Sequence, residues 1–89
     1  MPVQKEILNK REQIDNIDDQ LLKLLNRRAE LSLSIRQLKC DNAVSLFDPK
    51  REEEIVERLC KNNPGPLYDD DVRRLFLAIM KTMRGLPNE

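Results

Sequence analysis

Apolar positions recur every third and fourth residue between Val3 and Lys39. The series is Ile7, Ile14, Ile17, Leu21, Leu24, Leu31, Ile35 and Leu38, with Lys10 and Arg28 filling the two other places of the same seam. That period belongs to a long helix packed along its length, and no Gly or Pro interrupts it after Pro2. At 1.5 Å per residue a helix of about 36 residues is about 54 Å long. A compact domain of this size has a radius of gyration of only about 12 Å. One chain cannot wrap its own first helix, so the expected cover for the seam is a second copy of the chain.

Asp41-Asn42 ends the first helix after about Lys39 or Cys40. Residues 43–47 then read as a short, partly apolar loop. Asp48-Pro49 is a strong helix start, because Asp caps free N–H groups and Pro suits the first helical position. The second helix is predicted from Pro49 to about Lys61, with Ile55, Val56, Leu59 and Cys60 as its apolar stripe. Asn62-Asn63-Pro64-Gly65-Pro66 stops it. Asp69-Asp70-Asp71 opens a third helix with acids at the positive end of its dipole. Its buried face is expected at Val72, Leu75, Phe76, Ile79, Met80 and Met83, and Arg84-Gly85-Leu86-Pro87 closes it. No strand pattern appears. The predicted class is all-α, with one long and two short helices.

Composition narrows the functional classes. The 89 residues form a single expected domain, 1–89. Sixteen Lys and Arg balance sixteen Asp and Glu, and neutrality argues against nucleic acid as the main partner. Phe47, Tyr68 and Phe76 are the only aromatic residues, too few for a base-stacking surface. The absence of His removes the usual general base and, with only Cys40 and Cys60, makes a transition-metal site unexpected. The two cysteines read as reduced thiols. No apolar run reaches membrane-spanning length and no signal core is present, so the expectation is a soluble, cytoplasmic protein without a membrane partner.

The cations have a pattern of their own. Arg28 and Lys39 stand eleven residues apart, three helical turns plus about 20°, so they share a face about 16 Å apart along the axis. Their long side chains can lean toward an anion held between them. Arg11 precedes Arg28 by seventeen residues, about 25 Å away and rotated by roughly 100°. In an antiparallel dimer, Arg11 of one chain can approach Arg28 of the other. Asp48, Arg51 and Glu52 add charge at the start of the second helix. Structural roles stand beside these. Arg28 can set register against an acid such as Glu30 of a partner. Asp48 is an N-cap on any reading, and Arg51 with Glu52 can form ordinary surface ion pairs.

The joint order and spacing decide between them. Residues 8–15 and 17–22, Leu25-Asn26-Arg27-Arg28, Lys39 and Phe47-Asp48-Pro49-Lys50-Arg51-Glu52 closely resemble the all-helical chorismate mutases, over nearly the whole chain. The resemblance implies an intertwined helical homodimer with two active sites, each lined by both chains. It implies conversion of chorismate, a dianion, to prephenate with no cofactor or metal. Arg28 and the other chain's Arg11 would clamp carboxylates, with Arg51 in support. Lys39 would stabilise the ether oxygen. Glu52, with Asp48, would receive the ring hydroxyl. The catalytic set implied is thus Lys39, Arg28 and Glu52, within a binding set of Arg11, Arg28, Lys39, Asp48, Arg51 and Glu52.

One departure stands out. Aligning on Leu75-Phe76, the Gln or Glu that relatives carry near the end of the third helix falls at or near Pro87, and a small residue one turn earlier falls near Met83. Pro87 has no side-chain donor. The site is expected to be open at this edge, with weaker activity or dependence on an activating partner protein that orders the C-terminus. The alternatives on the same scaffold are an isochorismate pyruvate lyase and an aminodeoxychorismate mutase. The alternative from another class is a non-catalytic helical dimer or adapter.

Overall fold

The computed structural model describes residues 2–42 and 47–87. Among them lie three helices and no strand: α1 (Pro2–Asp41), α2 (Pro49–Lys61) and α3 (Asp69–Arg84). The helix boundaries agree with the sequence signals, α1 running a residue or two further than expected. The predicted 43–47 loop lies outside the described residues except for Phe47. The chain divides into two units, Met1–Ser32 and Leu33–Glu89.

The first unit is helical throughout its described residues, and α1 contains no buried residue. Its polar face is tied locally. Arg27 pairs with Glu30 at 2.9 Å, and Asn26 Nδ2 donates to the Leu22 carbonyl at 3.0 Å. The apolar seam lies open, and its aliphatic members range from 45% exposed at Ile7 to 67% at Leu24. A helix with an uncovered stripe has no core to offset the entropy of ordering it.

Among the described residues, the second unit contains all the buried side chains. Helices α2 and α3 pack together as an antiparallel hairpin. At the loop end the Cys60 thiol donates to the Asp69 carbonyl at 3.4 Å; at the far end Glu52 meets Arg84. Val56, fully buried, packs in the core with Val72, Met80 and Met83. Burying one such side chain contributes about 1.5–3 kcal/mol. Arg73 reaches across to Glu53 at 3.2 Å, and that hydrogen bond and charge hold its guanidinium above its ordinary value. The expected α3 face holds at Phe76 and Ile79, which are half-buried, but not at Leu75, which is 49% exposed. The hairpin core is narrow, and Leu75 sits at its edge, about 60° round the helix from Val72.

Local chemistry explains the connections. Asn63 organises the turn between α2 and α3: its Nδ2 donates to the Leu67 carbonyl at 2.7 Å and to Asp69 Oδ1 at 3.0 Å, while its Oδ1 accepts from the Gly65 N–H at 3.0 Å. Gly65 has φ of 79°, a left-handed value that favours glycine, and the Gly65-Pro66 bond is cis. At the start of α3, Asp71 reaches back to accept from the Tyr68 N–H at 3.2 Å.

The C-terminal end of α3 is held by a residue of α1. Arg36 donates to the carbonyls of Met83 at 2.7 Å, Arg84 at 3.2 Å and Leu86 at 2.5 Å. Helix ends leave their last carbonyls without intrahelical donors, and a cation there also complements the dipole. Arg36→Leu is therefore expected to cost about 1.5–3 kcal/mol in urea unfolding at fixed chain concentration.

Candidate active site

The charged residues singled out by sequence fall in both units. Arg11 and Arg28 belong to the first; Lys39, Asp48, Arg51 and Glu52 belong to the second. Each unit brings its own members into a definite local setting.

Asp48 sits at the N-cap of α2, and its Oδ1 accepts from the Arg51 backbone N–H at 3.0 Å. The cap role is thus met, and the Pro49 ring occupies the first helical position. The cap also fixes where the first turn projects its side chains. Arg51 is exposed, whereas the Glu52 side chain is only 20% exposed and pairs through Oε2 with Arg84 Nη1. Lys39 is half-buried in the last turn of α1, where a cation also suits the helix dipole. In the first unit Arg28 is half-buried and Arg11 is exposed.

Pairing separates these cations from their neighbours. Of the nine arginines, Arg27, Arg73, Arg74 and Arg84 hold carboxylates and Arg36 holds carbonyls. Among the described residues, the side chains of Arg11, Arg28, Arg51 and Arg58 have neither ion pair nor hydrogen bond, and the same is true of Lys39. Three of these four arginines are site candidates. Glu30, one acid that could meet Arg28 from a partner chain, pairs with Arg27 of its own chain at 2.9 Å. A half-buried guanidinium without a counter-charge is costly to keep, and an incoming anion relieves it.

Two residues escaped the sequence reading. Arg84 lies in the last turn of α3, where it reads as an ordinary helix-end cation. Here it meets Glu52 and stacks over the Phe47 ring, with Cζ 5.0 Å from the centroid. That grouping depends on the antiparallel pairing of α2 and α3, which brings residues 32 positions apart together. Arg36 also gave no signal, since one polar position among many on α1 reads as solvent-facing. At the other candidate edge, Pro87 follows the end of α3 and residues 88 and 89 lie outside the described residues.

Among the described residues no group of three or more His, Cys, Asp or Glu is placed to hold a metal ion. No helix of the described residues is long and apolar enough to cross a membrane. Both cysteines are free thiols.

Comparison with known proteins bears on the family and the fold. The profile of the family described as chorismate mutase type II matches residues 10–87. A bifunctional chorismate mutase/prephenate dehydratase of Neisseria gonorrhoeae is 43% identical over 70 residues, covering 79% of this chain and 19% of that protein. One of Pseudomonas aeruginosa is 30% identical over 91 residues, covering 97% of this chain and 25% of that protein. The chain therefore spans only a minor part of these two relatives. A solved chorismate mutase structure from Thermus thermophilus (Form II) superposes with a TM-score of 0.90 at 36% identity, covering 91% of this chain and 92% of that one. A profile match over most of the chain, with a solved relative sharing its helical architecture along nearly its whole length, makes this chain a member of the chorismate mutase type II family.

Proposed function

We propose that this chain rearranges chorismate to prephenate in a site shared by two copies of itself, residues 1–89 acting as one domain. The observation that carries this reading is the set of cations without an ion pair or hydrogen bond among the described residues, Arg11, Arg28, Lys39 and Arg51, in a member of this family. The reaction breaks one C–O bond and makes one C–C bond within a single molecule, so no atom enters or leaves. Catalysis then consists of holding the reactive conformer and stabilising charge where it develops. Arg28 and the partner's Arg11 clamp the two carboxylates, which suit the planar guanidinium fork, and Arg51 adds positive potential. Lys39 donates to the ether oxygen as the C–O bond lengthens. Glu52, with Asp48 beside it, accepts from the ring hydroxyl. No nucleophile, metal or cofactor has a part.

The uncovered seam of α1 supports the intertwined homodimer, since each of its aliphatic side chains contributes about 1.5–3 kcal/mol when fully covered. The fusion to prephenate dehydratase named in the relatives supports aromatic amino-acid biosynthesis as the setting. The free thiols fit the cytoplasm. The test is spectroscopic loss of chorismate with product identification, isochorismate and aminodeoxychorismate being run alongside. Prephenate from chorismate alone supports the assignment. Pyruvate from isochorismate with chorismate unchanged assigns the lyase, and inertness to all three assigns a non-catalytic dimer.

Pro87 leaves the ether oxygen without the second donor that relatives supply. The isolated dimer is accordingly expected to have kcat/KM on the order of 10²-fold below that of the Thermus protein. A partner protein that orders the C-terminus restores the rate. Full efficiency of the isolated dimer, unaffected by removing residues 86–89, defeats the open-edge reading.

A further inference from the structure

We propose that Arg84 is a positioning residue for Glu52, fixing the carboxylate that reads the ring hydroxyl; the proposal rests on the function assigned above. Three contacts set the Arg84 group. Its guanidinium pairs with Glu52 Oε2, its Cζ lies 5.0 Å from the Phe47 ring centroid, and its own carbonyl accepts from Arg36 Nη2 at 3.2 Å. The backbone is thus anchored on one side and the side chain on two others. A long side chain held at several points has already lost the rotamer freedom that makes exposed ion pairs weak.

The geometry at Glu52 gives this anchoring a purpose. A carboxylate offers two oxygens with about four acceptor positions between them. Arg84 takes Oε2, and among the described residues Oε1 has no hydrogen-bond partner. The Glu52 side chain is 20% exposed, and with one oxygen tethered to Arg84 the other is left to accept from an incoming O–H. Asp48, four residues earlier, is partly committed to capping α2 through Oδ1. Each of the two carboxylates thus keeps one oxygen uncommitted among the described residues, and Arg84 determines which way that of Glu52 faces. The pair also links the edge of the site to the end of α3, the segment where Pro87 removes a donor.

The experiment compares Arg84→Leu, Arg84→Lys, Glu52→Gln and the Glu52→Gln/Arg84→Leu double variant of the full chain, on chorismate and on an analogue whose ring hydroxyl is replaced by hydrogen. Arg84→Leu is expected to lower kcat/KM on chorismate on the order of tenfold, and Arg84→Lys to recover most of that loss. On the deoxy analogue, and in the Glu52→Gln background, Arg84→Leu is expected to cost less than about twofold. Equal losses on both substrates and in both backgrounds overturn the assignment, because they mean that Arg84 acts on the fold or on the substrate directly. If Arg84→Leu does not fold, equal losses for Arg84→Lys on the two substrates overturn it in the same way. A Glu52→Gln variant with full activity overturns this proposal and leaves the chorismate reading standing, whereas a parent chain inert toward chorismate overturns both.

Discussion

Lys39→Ala is expected to lower kcat for chorismate by about 10²–10³-fold, with helix content and solution mass unchanged. Lys39 is half-buried at the end of α1 and makes no ion pair or hydrogen bond among the described residues, so its removal breaks no polar contact there. The loss should fall on kcat more than on KM. The charge on the ether oxygen is small in the bound substrate and grows only as the C–O bond stretches, and an interaction made mainly in the transition state appears in kcat. Steady-state kinetics with circular dichroism decide it. A rate within about threefold of the parent would remove Lys39 from the catalytic set, given the size expected for a donor to developing charge.

The second large effect concerns the proposed sharing of the site between two chains. Arg11→Ala and Arg28→Ala are each expected to reduce activity by about 10²-fold or more as separate homodimers. When the two are unfolded together and refolded, random pairing makes half of the dimers mixed. In a mixed dimer one site receives both altered residues and the other receives neither. The expected specific activity of an equal mixture is therefore about one quarter of the parent value, as two-fold symmetry of the proposed dimer requires. If each site were built within one chain, mixing would restore nothing, and the result would separate the two architectures without a crystal. Measuring activity against mixing ratio, with dimer mass checked at each point, makes the comparison quantitative.

The boundaries of α2 and α3 were legible because their signals are local. Asp48-Pro49 and Gly85 act on the residues beside them, as does the 62–66 stop, and no tertiary context overrides them. The seam of α1 was legible from its period alone. Leu75 was misjudged because period gives the direction of a stripe but not its width, and width is set by how much of α3 the thirteen residues of α2 can cover. The Asp48 cap was visible three residues ahead of its donor. Glu52 with Arg84 was not, since 32 residues separate them and only the packing of two helices joins them. Among the described residues Arg28 makes no ion pair or hydrogen bond and Glu30 pairs with Arg27, side-chain geometry that no spacing rule contains.

The Asn63 amide is sheltered from one form of chemical damage. This one side chain makes three hydrogen bonds that shape the turn between α2 and α3. Deamidation would exchange its two N–H donors for a carboxylate facing Asp69. The usual route begins with attack on the side-chain carbonyl by the next residue's backbone N–H. The next residue is Pro64, which has no such hydrogen. The turn therefore relies on an asparagine whose neighbour shields it from that route of chemical ageing.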